Sequence, residues 1–168
     1  MAVDEHRSEA RTVGPVAFAV LTVSDRRTPE TDTSGPLAAR LLAEAGHTPT
    51  DAELIPNEPA RIRASVRRFL HGGAACLVVV GGTGVGRRDL TIETITPLLE
   101  KTLPGFGELF RSLGYGEIGT AAMLSRALCG VSGGKVICCL PGSEAAVRLG
   151  VGKLLVPELP HLVWNLRR

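Results

Sequence analysis

AACLVVVGGTGVGRRDLTIETI, residues 74–95, is the stretch that decides how this chain folds. Ala74 to Val80 is a fully apolar, valine-rich run, the pattern of a parallel strand covered by helices on both faces. It breaks off at Gly81, Gly82, Thr83, Gly84, Val85 and Gly86, after which Ile92, Ile95, Leu98 and Leu99 fall on one side of a helix. Strand, glycine turn and helix in that order make one unit of an α/β fold.

The same unit recurs on either side of it. Upstream, Val16 to Val23 is a β-branched apolar run that predicts a central strand. A helix follows, with Pro36 just inside its start, Leu37, Leu41, Leu42 and Ala45 on one face, and Gly46 as its stop. Ala52 to Ile55 reads as a short strand, and Ile62, Val66, Phe69 and Leu70 recur at helical spacing up to Gly72 and Gly73. Downstream, Pro104 and Gly105 open a helical stretch through Phe106, Leu109, Phe110 and Leu113, which Gly114, Gly116 and Gly119 are expected to interrupt. Lys135 to Leu140 is the third strongly apolar strand; Val147, Val151, Leu154 and Leu155 then face one way on a helix, and a short closing helix carries Leu162, Val163 and Leu166. Alternating strands and helices without an internal repeat predict an open, mostly parallel sheet with helices on both faces, a Rossmann-like three-layer α/β domain.

At 168 residues, 44% hydrophobic and 21% charged, the chain fits one domain with a substantial core, expected over residues 16–168. Residues 1–15 mix acids and bases without an apolar segment, so they are no secretory signal and are expected to form a loose tail. The longest apolar runs are far too short for a bilayer span, which predicts a cytoplasmic protein with no membrane partner. A net charge of +2, with bases interspersed among acids, argues against a nucleic-acid partner. Cys76, Cys129, Cys138 and Cys139 lie in or beside apolar runs without zinc or redox spacing and read as small core residues. The scattered His6, His47, His71 and His161 offer no paired-ligand motif.

Ligands of open α/β sheets sit at the carboxyl ends of the strands, and three motifs fall there. The glycine turn Gly81 to Gly86 lets backbone N–H groups approach a phosphate closely. It is not a P-loop, since Arg87 and Arg88 replace the required lysine and hydroxyl residue, nor a dinucleotide fingerprint, whose third glycine position is Arg87. Asp89, beside Thr91 and Glu93, could meet a metal and phosphate together with Arg87 and Arg88, or Asp89 or Thr91 could cap the helix. After the first strand, Ser24 and Asp25 precede Asp32, Thr33, Ser34 and Gly35 at a helix mouth, which suits either an anion or a cap. After the third, Pro141 and Gly142 lead to Ser143, with the same two readings. Three such ends on one sheet edge make a composite site.

The runs TVSD (Thr22 to Asp25), DTSG (Asp32 to Gly35), GGTGVGRRDLTIE (Gly81 to Glu93), PGFGE (Pro104 to Glu108), LSR (Leu124 to Arg126) and LPGS (Leu140 to Ser143) occur in the order seen in the MogA and MoaB family of molybdenum cofactor biosynthesis proteins. That family includes the molybdopterin-binding domains of gephyrin and the plant Cnx proteins, and the chain resembles it from Val16 to Arg168. The resemblance implies the molybdopterin-binding fold and an enzyme that takes molybdopterin and Mg-ATP, transfers AMP to the terminal phosphate of the pterin and releases pyrophosphate. It implies that Asp89 holds Mg²⁺ against the ATP phosphates. Gly82, Thr83 and Gly84 would line the nucleotide and phosphate site, and Ser24, Asp25, Asp32, Gly35, Gly81, Arg88, Thr91, Glu93 and Pro141 would be further ligand-binding residues. Ser125, Arg126, Gly142 and Ser143 would form the pterin side. One departure concerns Asn57, where adenylylating members carry an aspartate that assists the metal and some MoaB proteins carry asparagine. The GYGEIG ending of the stretch Phe106 to Gly119 also looks more like MoaB. This leaves a second reading, a MoaB-like protein that binds the pterin without efficient transfer. The resemblance further implies a homo-oligomer, a trimer or a hexamer of two trimers.

Overall fold

The computed structural model describes residues 11–168. Six strands form one sheet: β1 (Ala17–Val23), β2 (Thr48–Ile55), β3 (Cys76–Val80), β4 (Lys101–Thr102), β5 (Leu128–Ser132) and β6 (Lys135–Leu140), in the spatial order β2-β1-β3-β6-β5-β4. β1 pairs in parallel with β2 and β3, and β3 in parallel with β6, while β5 runs antiparallel to both β6 and β4. The three strongly apolar runs of the sequence are thus adjacent at the centre, and β2, whose burial is confined to its last residues, is an edge.

Side-chain alternation on the central strands builds two cores. Phe18 and Val20 of β1, Val78 and Val80 of β3, and Cys138 and Leu140 of β6 point to one face. There they meet Leu37, Ala38 and Leu42 of α1 (Ser34–Glu44) and Phe110 of α4 (Pro104–Ile118). The same layer takes Val147 of α5 (Glu144–Val147), Leu149 and Leu155 of the π-helical segment Arg148–Leu155, and Leu159 and Val163 of α6 (Val156–Arg167). Ala19, Leu21, Val23, Leu77, Val79, Ile137 and Cys139 point the other way, against Ile62, Val66 and Phe69 of α2 (Pro59–His71) and Ile95 of α3 (Thr91–Ile95). The result is the expected three-layer α/β architecture.

One expectation is corrected. The helix after Pro104 is not broken at Gly114 or Gly116; it runs on to Ile118 because Gly114 is buried in the packed face with Gly107 and Phe110, and tertiary contact outweighs the weak helix propensity of glycine. It stops at Gly119, whose φ of +58° ends the helix. β5, which the sequence reading does not single out as a strand, pairs with β6 through a two-residue turn at Gly133 and Gly134, both at positive φ. Of the expected tail, Met1 to Ala10 lie outside the described residues, while Arg11–Val13 form a 3-10 turn from which Val13 packs on the first core.

The topology opens a crevice. The chain leaves β1 toward α1 on one face and β3 toward α3 on the other, although β1 and β3 are neighbours. Loops that diverge from adjacent parallel strands leave a hollow outside their carboxyl ends.

Candidate functional site

The floor of this hollow is backbone. Gly81 extends β3 by donating its N–H to the Leu140 carbonyl at 2.9 Å, and its φ of +98° turns the chain sharply across the strand ends. A Cβ there would lie 2.3 Å from the Val23 carbonyl oxygen, so only glycine fits between β1 and β3. Gly82 follows at φ +64°, in a slot where a Cβ would strike the Thr91 hydroxyl and the Asn57 amide. Thr91 straps the turn from below: its hydroxyl donates to the Gly81 carbonyl and its N–H to the Gly82 carbonyl, each at 2.9 Å. It is fully buried, so it shapes the turn and faces no hollow.

Asp89 folds back over the turn. Its Oδ2 accepts the Gly86 N–H at 2.9 Å, and a Cβ on Gly84 would sit 2.6 Å from the same oxygen. The glycines at 84 and 86 therefore make room for this carboxylate. Neither Asp89 nor Thr91 caps α3, which begins after Leu90 with no side-chain cap. Asn57 stands behind Asp89, 9% exposed, accepting the Leu90 N–H on Oδ1 at 3.3 Å, while its own N–H donates to Asp25 Oδ1 at 2.9 Å. The second oxygen of Asp25 pairs with Arg88 Nε at 3.0 Å.

The β1 loop approaches from the other side. Ser24 Oγ accepts the N–H groups of Arg26 and Arg27, which curls the loop so that the Arg27 side chain lies over the strand ends. Arg27 Nη1 donates to Asp32 Oδ1 at 3.0 Å and to the Ser34 hydroxyl, and Nη2 donates to the Gly142 carbonyl at 2.7 Å. Burial would raise the Asp32 pKa, but hydrogen bonds from the Thr22 hydroxyl, the Gly35 N–H and Arg27 hold it below the usual 3.8. Gly35 leaves space for Thr22 and Asp32 to meet. The N–H groups of Ser34 and Gly35 at the start of α1 are taken up by Asp32, so that helix mouth is filled by the protein's own carboxylate. Ser143 caps α5 by accepting the Ala146 N–H at 3.2 Å.

Two adjoining hollows result. One, of about 410 Å³, is walled by Thr22, Arg27, the Gly81 to Gly84 turn, Ser125 and Gly142. The other, of about 480 Å³, is walled by Asp25, Asn57, Arg87 and Arg88. Val23, Ser24, Gly82 and Asp89 line both, so Asp89 stands on their shared wall. Ser143 faces a smaller space of about 100 Å³ beside Phe110, with Ser125 and Pro141 in common with the first hollow.

Of the expected site residues, Ser24, Asp25, Asn57, Gly81 to Gly84, Arg88, Asp89, Ser125, Pro141 and Gly142 line these two hollows. Asp32 and Gly35 act one layer behind, through Arg27 and Thr22. Glu93 and Arg126 face each other in a two-pronged ion pair at 2.6 and 3.1 Å, which holds the Glu93 carboxyl below its usual range. Arg126 also donates to the Thr83 carbonyl at 2.8 Å, tying the Leu124 to Arg126 segment to the glycine turn. Sequence reading missed Arg27. Its only local signal is a place two residues beyond Asp25, and the contact that defines it spans 115 positions of sequence.

A doubly wound sheet whose switch-point cleft is floored with glycine amides and rimmed by acids and arginines defines the class, an α/β protein with a polar small-molecule cleft. Residues 19–161 match the family described as "Probable molybdopterin binding domain". Molybdenum cofactor biosynthesis protein B of Bacillus anthracis is 46% identical over 170 residues, covering 100% of this chain and 99% of that protein. A crystal structure of a molybdenum cofactor biosynthesis protein B superposes with TM-score 0.89 at 46% identity, covering 92% of this chain and 97% of that one. The tungsten cofactor synthesizing protein MoaB of Pyrococcus furiosus gives TM-score 0.84 at 34% identity, covering 92% and 98%. The chain belongs to the molybdopterin-binding domain family of molybdenum cofactor biosynthesis proteins that comprises MogA and MoaB.

Proposed function

We propose that this protein binds molybdopterin at the strand-end rim and, with Mg-ATP, adenylylates it. A terminal phosphate oxygen of the pterin attacks the α-phosphorus of ATP, one phosphorus–oxygen bond forms, the bond to the β-phosphate bridge breaks, and pyrophosphate leaves. The observation that carries this reading is Asp89 on the wall common to the two hollows, each within the size range of ligand pockets. One hollow suits the pterin phosphate beside Arg27, Ser125 and Gly142; the other suits the nucleotide beside Asn57 and Arg88. The chain's own contribution is positioning: the backbone of Gly82, Thr83 and Gly84 in the wall of the cleft, where phosphate oxygens can approach it closely, and side-chain donors held in place by their own hydrogen bonds.

The donor set fits Mg²⁺ held mostly by ATP phosphates and water, with Asp89 as the protein carboxylate. Asp89 Oδ1 accepts no hydrogen bond from the described residues, although the Arg126 charge acts on this carboxylate, and no cluster of three or more acidic, histidine or cysteine ligands occurs among them. When bound, the ion would neutralise charge building on the phosphates. Asn57 favours a second reading, a MoaB-like protein that binds molybdopterin without efficient transfer, because its amide oxygen is neutral and already engaged by the Leu90 N–H.

The test is incubation of the purified protein with molybdopterin and Mg-ATP, followed by assay of adenylyl-molybdopterin and pyrophosphate. The first reading predicts both products, and a fall of about 10²-fold or more in Asp89→Ala. Pterin binding without product establishes the second reading, and Asn57→Asp then raises transfer. No binding of either substrate defeats both.

We further propose a cytoplasmic homo-oligomer, a trimer or a hexamer. Four free buried thiols suit a reducing compartment. Six of the seven large hydrophobic residues exposed among the described residues lie between Leu109 and Leu124, the arrangement a subunit interface provides.

A further inference from the structure

We infer that Arg27 holds the phosphate monoester of the pterin substrate, gripping it with the two N–H donors that the protein itself leaves unused. The inference rests on the proposal that the first hollow takes molybdopterin. A guanidinium has five N–H donors in a planar fork. In Arg27, Nη1 spends both on Asp32 and Ser34, and Nη2 spends one on the Gly142 carbonyl. The Nε N–H and the second Nη2 N–H have no partner among the described residues. The side chain is 29% exposed, and it lines the hollow opposite the glycine turn. Two parallel donors on one plane match two oxygens of one phosphate.

The surroundings explain why this arginine suits recognition rather than general attraction. Asp32, with its side chain 7% exposed, balances the Arg27 charge, so the pair carries little net field. What remains is directional hydrogen bonding by a group already immobilised on three partners, which limits the entropy lost on binding. Arg88 and Arg126 differ. Arg88 is 81% exposed in the second hollow, and both terminal nitrogens of Arg126 are committed to Glu93. Arg27 is also the one that ties the β1 loop to the β6 loop, so a phosphate on it would bridge the two sides of the cleft. Asp32 and Ser34 are positioning residues for it.

Three affinities separate this role from a structural one: those for molybdopterin, for the same pterin after phosphatase treatment, and for ATP. Arg27→Lys keeps the charge but loses the fork. We expect it to weaken molybdopterin binding by roughly tenfold or more, while affinity for the phosphate-free pterin and for ATP stays near wild type. Equal loss for both pterins, or loss confined to ATP, overturns the inference, as does unchanged binding of all three. Wild-type protein that binds no molybdopterin overturns the proposed function and this inference together, whereas a wild type that binds and an Arg27→Lys variant that binds equally well removes only Arg27. Should the variant fail to fold, phenylglyoxal labelling of the intact wild type provides the reading. Molybdopterin, but not the dephosphorylated pterin or ATP, should protect Arg27, and equal labelling under all conditions refutes the assignment.

Discussion

His47 lies just before β2, 8% exposed, with Nδ1 accepting the Val16 N–H at 3.2 Å. Burial pushes its pKa below the ordinary 6.5, and a proton on Nδ1 would also displace that hydrogen bond. The unfolded chain takes up a proton near 6.5 and the folded chain only at lower pH. Its contribution to stability is therefore complete above 6.5 and is lost as pH falls below it toward the folded value. We expect the wild-type Tm to drop more steeply than that of His47→Asn as pH is lowered from neutrality through this window. Parallel profiles for the two proteins would show that His47 does not titrate on unfolding. The same local physics explains which site residues can be read without coordinates. Gly81 to Gly84 and Asp89 are legible because a glycine-rich break after an apolar strand and a nearby acid are local signals. Arg27 and the strap formed by Thr91 are not, because their roles depend on carbonyls brought near only by the sheet.

At the scale of elements, glycine is the residue most easily misread. Gly116 lies in the last turns of α4, exposed, at negative φ, and a Cβ there would meet nothing within 4 Å. It is a helical glycine with no packing reason, unlike Gly107, where a Cβ would meet the Ala127 carbonyl at 2.9 Å. Gly116→Ala should therefore stabilise the protein by about 0.5–1 kcal/mol in urea or thermal unfolding, by reducing the freedom of the unfolded chain. Gly119→Ala should destabilise by a similar amount, since φ is +58° there. A loss of stability in Gly116→Ala would mean that the helix end is not formed as described. Strands with continuous apolar runs, β1, β3 and β6, are legible from sequence because burial on both faces demands such runs. β5 escapes notice because it is short, contains Gly130 and pairs antiparallel near the sheet edge. Its signal is the Gly133 and Gly134 pair between two apolar stretches.

The whole molecule distributes its exposed apolar side chains asymmetrically. Leu109, Leu113 and Ile118 on α4, with Met123 and Leu124 beyond it, are between 43% and 76% exposed, whereas α1 and α2 hide their large apolar residues. Leu124 also lines the first hollow, so whatever covers this face lies next to the site. Fully covering a leucine or methionine side chain is worth about 1.5–3 kcal/mol, and several together favour association of identical copies. If the face is a subunit interface, sedimentation should show an oligomer at micromolar concentration. Leu113→Glu combined with Met123→Glu should shift it toward monomer while the far-ultraviolet circular dichroism is kept. Because association stabilises the folded state by mass action, the wild-type Tm should rise with protein concentration and that of the double variant should not. A monomeric wild type with a concentration-independent Tm would remove the interface and leave the exposed residues beside the hollow as part of the ligand cleft alone.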